Sequence, residues 1–158
     1  MASKQAATAK ANELPVKEPL VVDASNAVAG RVASVVAKQL LLGEHVIVIN
    51  AEKAVLSGNR QSIINEHKEQ LGIRTRTAPW KGPFHWRHPH SILRRIIRGM
   101  VPWKKARGRL AMKRLRVYTG TPEDLKITRR LDLPEFERIG RRTIYLGELA
   151  RELGWKGI

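Results

Sequence analysis

The run Val46-Ile47-Val48-Ile49 is apolar at every position. Successive side chains of a strand point to opposite faces, so this strand has no face to offer to water. Strands buried on both faces are typical of parallel sheets covered by helices. What precedes it fits that setting. Leu20-Val21-Val22 is another short apolar run, ended by the turn-forming cluster Asp23-Ala24-Ser25-Asn26. From Val28 to Leu42 the clearly polar side chains besides Gln39 are Arg31, Ser34 and Lys38. At 100° per residue these three fall within about 60° of one another, the pattern of a helix buried over most of its circumference. Gly43 stops it. Strand, helix and doubly apolar strand make a βαβ unit, and an α/β fold with a parallel sheet is expected.

Further along, Ser57-Gly58-Asn59 opens a helix over roughly 59–71, closed by Gly72. Leu115 to Tyr118 reads as a strand, Thr143-Ile144-Tyr145 as a shorter one, and Leu146 to Leu153 as a terminal helix ended by Gly154. There is no internal repeat. A chain of 158 residues, 42% hydrophobic, suits one domain with a core of ordinary size, here residues 20–158. Residues 1–19, MASKQAATAKANELPVKEP, read as a polar tail, disordered in isolation and without the apolar stretch of a secretory signal. The absence of cysteine excludes disulfides and thiolate metal sites and fits the cytosol. No apolar run approaches the length of a membrane span.

The charge is distributed very unevenly. Residues 1–72 hold 8 Lys and Arg against 7 Asp and Glu, and residues 117–158 also hold 8 against 7. Residues 73–116 hold 14 against none, so nearly all of the net charge of +16 lies in that segment. Solubility is served by interspersed charges of both signs. A block of one sign marks an interaction surface for a polyanion, nucleic acid foremost. Ten of the fourteen cations are arginine, the side chain suited to bidentate phosphate contacts and to stacking on bases.

The basic segment divides into three pieces. Residues 73–90 hold three prolines, a glycine and three of the eight aromatic residues, and are expected to form an extended loop. In residues 91–100, Ile92, Ile96, Met100, Leu93 and Ile97 span about 140° of a helical wheel, and Arg94, Arg95 and Arg98 cluster within about 100° on the other side. One face belongs to the core, which leaves no apolar anchors for a membrane surface. Residues 104–116 are cationic around most of the wheel, with only Leu110, Ala111, Met112 and Leu115 to bury. Like charges at i,i+4 repel and Gly108 lowers helix propensity, so at least 102–110 is expected to become ordered only against the phosphates of a bound nucleic acid. The candidate RNA-binding residues are Arg74, Arg76, Lys81, Trp86, Arg87, His88, Arg94, Arg95, Arg98, Lys104, Lys105, Arg107, Arg109, Lys113, Arg114 and Arg116. For Trp80, Phe84, Trp86 and Trp103, stacking on bases and packing against the domain both remain open.

Signals of catalysis are weak. Asp23 sits where a strand meets a helix, at the carboxyl edge of the expected sheet, where α/β enzymes hold catalytic groups. Neither GxGxxG nor GxxxxGK[ST] is present and Gly30 stands alone, so Asp23 reads as the cap of a turn. His85, His88 and His90 suggest a metal site only until their surroundings are read: there is no Cys, and no carboxylate from Ile73 to Arg116. No catalytic residue, metal, cofactor or small-molecule substrate is expected. Two other readings stay open on the residues alone, a nucleotide-using α/β enzyme with a basic substrate cleft and a DNA-binding architectural protein.

Two long blocks carry a resemblance. VVDASNAVAGRVASVVAKQLLLGE resembles the N-terminal signature of the large ribosomal subunit protein thirteen family, with its Asp-Ala, Gly-Arg and Ala-Ser pairs. KGPFHWRHPHSILRRIIRGMVPWKKARGRLAMKRLRVYTGTPE is similar to that family's most distinctive block, through the Arg-Gly-Met-Val-Pro turn, the Lys-Arg-Leu-Arg-Val-Tyr strand and the Gly-Thr-Pro after it. The likeness runs from Val21 to the C-terminus, and Gly-Pro-Phe-His-Trp-Arg is closer to the archaeal and eukaryotic branch. Residues 1–19 lie outside it. The resemblance implies a three-layer α/β/α domain around a mainly parallel sheet, with a basic loop-and-helix insertion. It further implies a non-enzymatic structural and assembly protein in the cytoplasmic ribosome, bound to large-subunit rRNA beside neighbouring large-subunit proteins.

Overall fold

The computed structural model describes residues 18–123, 125, 127–131, 133 and 142–157; residues 1–17 of the expected tail lie outside them. In chain order the elements are β1 (Leu20–Asp23), α1 (Ala29–Leu41), β2 (Val46–Ile49), β3 (Val55–Ser57), α2 (Arg60–Gly72), α3 (Pro89–Gly99), α4 (Ala106–Lys113), β4 (Leu115–Val117), β5 (Arg129–Leu131), β6 (Thr143–Tyr145) and α5 (Leu146–Glu152).

The central sheet has the order β4-β2-β1-β5 and is parallel throughout. Its register sets Leu20 against Val46 and Arg129, and Val46 against Leu115. This is the expected α/β architecture, a parallel sheet flanked by helices. The β1–α1–β2 unit forms as the unbroken apolar run requires: Val46, Val48 and Ile49 are buried and Ile47 half-buried. In α1 the residues Ala29, Val32, Ala33, Val36, Ala37 and Leu40 are buried, while Arg31, Ser34 and Lys38 are exposed. Gly43 ends the helix in a left-handed conformation, φ +96°, which glycine adopts without a Cβ clash.

Sheet residues Val22, Val46, Val48 and Leu115 join α1, Leu93 and Ile97 of α3, Ala111 of α4 and Leu146 and Leu149 of α5 in one apolar cluster. Each large side chain buried there stabilises the fold by about 1.5–3 kcal/mol. The mount for the basic segment is therefore continuous with the core. Two strands were not foreseen. β3 pairs antiparallel with β6 in a separate two-stranded ribbon, and β5, Arg129-Arg130-Leu131, forms the far edge of the central sheet.

At the carboxyl edge of that sheet, Asp23 is fully engaged. Its Oδ1 accepts from the Ser25 amide (2.9 Å), the Ser25 hydroxyl (2.7 Å) and the Asn50 amide (3.0 Å), and its Oδ2 accepts from Arg130 (3.2 Å). Burial alone raises this carboxyl; the Asn50 and Ser25 hydrogen bonds and the Arg130 charge together outweigh burial and hold it below its ordinary value. The side chain caps the turn and ties β1 to β2 and β5.

Candidate nucleic-acid interface

Helix α3 opens with Pro89 in its first turn, where a missing amide hydrogen costs nothing. The His88 carbonyl accepts from the amides of Ser91 (3.1 Å) and Ile92 (3.0 Å). Pro89, Ile92, Leu93 and Ile97 are buried and Arg94, Arg95 and Arg98 are exposed. The apolar stripe is narrower than the wheel predicts. Ile96 is half-buried and Met100 is 44% exposed, because the chain leaves the helix at Gly99 and turns before Met100 reaches the core.

That turn carries the chain through Val101, buried, and Trp103, partly exposed, into α4. The stretch expected to become ordered only against a bound nucleic acid is, in this structure, a turn followed by the short helix α4. Gly108 is buried against the preceding turn so closely that a Cβ would lie 2.1 Å from the Pro102 carbonyl oxygen. Ala111 is 1% exposed, and Arg107 donates to the Leu41 carbonyl (3.2 Å) across to α1. Leu110, expected to be buried, is 53% exposed. The helix docks through its smallest residues, not through its bulky ones.

The loop before α3 keeps its rings at the surface, with Trp80, Phe84 and Trp86 all exposed. It is tied to α3 by Arg95, which donates to the Phe84 carbonyl (3.3 Å). A 3-10 turn at Pro79–Lys81 interrupts the expected extended course. His88 and His90 stack with ring centroids 5.5 Å apart, and His90 Nδ1 lies 3.3 Å from the Thr119 hydroxyl. Burial, then the positive charges of His88 and Arg94, depress the His90 pKa below its ordinary value.

The fold brings six of the sequence candidates, Trp86, Arg94, Arg95, Arg98, Arg109 and Lys113, around one cleft of about 530 Å³ between α3 and α4. Trp103 completes its wall, with the Arg98 guanidinium 3.8 Å from the ring centroid. Ser91 and Met112 also line it. Sequence periodicity gives no signal for Trp103, because it lies past the turn that ends α3. A smaller hollow of about 280 Å³ gathers Arg74 and Arg87 with Pro79, Pro83 and Phe84. Arg76, Lys81, His88, Lys104 and Lys105 are exposed outside the main cleft. Arg116 is set on β4 beside Ile47, and Arg114 is half-buried near Gly43; neither borders the cleft.

Asp23, Glu44, Glu148 and Glu152 form ion pairs away from this cleft. Arg60 pairs with Glu148 (2.6 Å) and Glu152 (3.7 Å), Lys68 with Glu152 (3.6 Å), Arg129 with Glu44 (3.4 Å) and Arg130 with Asp23 (3.2 Å). Every cation in these pairs comes from outside 73–116. Among the described residues no cluster of three or more His, Cys, Asp or Glu side chains could hold a metal, and no helix is long and apolar enough to cross a membrane.

Residues 17–124 match the family model described as Ribosomal protein L13. The chain belongs to the ribosomal protein L13 family. Relatives named large ribosomal subunit protein uL13 extend the similarity beyond that segment. The one from Methanopyrus kandleri is 47% identical over 145 residues, covering 89% of each chain. That of Archaeoglobus fulgidus is 41% identical over 142 residues, 87% of this chain and 89% of the relative. The Caenorhabditis elegans protein is 38% identical over 141 residues, 87% of this chain and 70% of the relative. The L13 match takes in β1 to β4 and the whole basic segment.

Proposed function

We propose that this L13-family protein is a structural, non-catalytic constituent of the large ribosomal subunit that binds and organises large-subunit rRNA during assembly and in the finished ribosome. The observation that carries the reading is a surface of fourteen cations between residues 73 and 116 without one carboxylate, mounted on helices that share the core of the domain. The α/β core acts as a rigid support. The basic segment neutralises crowded phosphates, so that RNA helices which would otherwise repel can pack together. Exposed arginines supply bidentate phosphate contacts, and the exposed rings of the loop offer surfaces to unstacked bases. Asp23, placed where an α/β enzyme would use a carboxylate, is occupied in holding the sheet edge together.

The test is the salt dependence of binding to structured large-subunit RNA. If about eight of the basic groups meet phosphates, the log–log slope is about −6 to −7. Duplex DNA as competitor separates this reading from a DNA-binding one. A slope flatter than about −2 would mean that charge neutralisation does not dominate.

A further inference from the structure

We propose that the cleft between α3 and α4 holds a single unstacked RNA nucleotide, its base against the indole wall and its phosphate among the arginines. The proposal deepens the rRNA-binding reading and rests on it. The cleft combines two chemistries that neither phosphate nor protein packing needs together. Arg94, Arg98, Arg109 and Lys113 converge on it with no ion pair to a carboxylate among the described residues. Trp86 and Trp103 border it while remaining 53% and 42% exposed. Cations alone would suit a phosphate, but two half-exposed indoles suit a flat aromatic ligand.

Size points the same way. About 530 Å³ falls in the range of sites that enclose one small ligand. It is too small for a duplex groove, and bases within an A-form helix are stacked out of reach. A looped-out nucleotide satisfies both limits. The Arg98 guanidinium carbon lies over the Trp103 ring, 3.8 Å from its centroid, a cation–π contact that holds the two groups together at the cleft wall. Helix α4, locked by the Gly108 contact, holds Arg109 and Lys113 opposite.

The lining also selects among bases. Arginine, lysine and the indole N–H are donors only, and Ser91 is the one lining hydroxyl that can accept. An edge rich in acceptors therefore fits best, and guanine offers O6 and N7 to one guanidinium. Adenine sets an amino group beside its N7, so one guanidinium meets a single acceptor there.

The experiment uses the full chain and short RNA hairpins that differ at one bulged position: guanine, adenine or an abasic site. Binding is followed by anisotropy, and tryptophan emission reports on the cleft. The expected result is quenching by the guanine bulge, with affinity about tenfold above that for the abasic hairpin and adenine in between. Trp103→Ala brings the guanine-to-abasic ratio close to one. If that variant melts early, Trp86→Ala serves the same comparison. Wild-type protein that binds all three hairpins alike keeps the rRNA reading and overturns the nucleotide pocket. Adenine bound as tightly as guanine overturns the donor-lined edge. Failure to bind any hairpin overturns the rRNA reading itself, and this proposal with it.

Discussion

Gly108 and Gly30 both sit inside helices, yet replacing them by alanine is expected to have opposite effects. In α1 a Cβ at Gly30 meets nothing within 4 Å, so Gly30→Ala gains the helix propensity difference and stabilises by up to about 1 kcal/mol. In α4 a Cβ at Gly108 would meet the Pro102 carbonyl oxygen at 2.1 Å and the Trp103 amide nitrogen at 2.7 Å, both backbone atoms. No rotamer change relieves that contact. Gly108→Ala is expected to destabilise by about 1–3 kcal/mol despite better propensity, read from denaturant midpoints. Asp23 gives a third test at this scale. Its folded pKa is depressed from the ordinary 3.8, so the native state binds this proton less readily than the unfolded chain. The stabilisation is complete above about pH 4 and is lost as pH falls through the lower folded value. Melting temperature should therefore drop more steeply below pH 4 in the wild type than in Asp23→Asn, which cannot ionise. Equal slopes in the two proteins would remove Asp23 from the acid sensitivity.

Helix α3 separates folding from binding on two faces of one element. Changing Arg94, Arg95 and Arg98 together to Gln removes the hydrogen bond to Phe84 and the stack on Trp103, exposed contacts that together cost about 1 kcal/mol. On the proposed rRNA-binding reading, RNA affinity should fall far more, because three of about eight phosphate partners would be gone. Ile97→Asp is expected to do the reverse, costing more than about 3 kcal/mol by placing an unpaired charge where the side chain is 0% exposed. Calorimetry and RNA titration on both variants check the assignment of faces. Elements of this kind were legible in the sequence because burial imposes a period: α1, β1, β2, β6 and α5 all lie within a residue or so of where apolar spacing puts them. Of the two strands that escaped, β3 is too short to show a period, and β5 is held by forces that leave none. β5 is two arginines and a leucine paired through its backbone, and Arg130 is kept there by Asp23. Helix α4 docks on a glycine and an alanine, so a wheel that seeks bulky residues picks Leu110 and misses Gly108. The arginines of the cleft could be named from composition alone. Their convergence on Trp103 could not, because the turn that creates it joins two helices at an angle that no local pattern encodes.

For the whole molecule, salt should act in two directions at once. The net charge of +16 makes the free protein repel itself, and the repulsion is concentrated where fourteen cations lack carboxylates. Raising monovalent salt from about 0.1 M to 1 M shortens the screening length from about 10 Å to 3 Å. The free protein should melt at a higher temperature, while the proposed RNA complex should dissociate. A melting temperature that stays flat or falls over that range would show that self-repulsion is unimportant. The strand order adds a matter of timing. Leu20 pairs on one side with Val46, which follows soon after it in the chain, and on the other with Arg129. At roughly 5–20 residues per second of synthesis, β5 appears some 4 to 16 s after β2. Throughout that interval the inner strand of the finished sheet is an unpaired edge, the surface on which unfinished proteins pair with one another. The fourteen cations leave the ribosome in the same seconds. Thus a nascent chain of this protein is most adhesive, both to other chains and to nucleic acid, just before the strand that closes its sheet has been made.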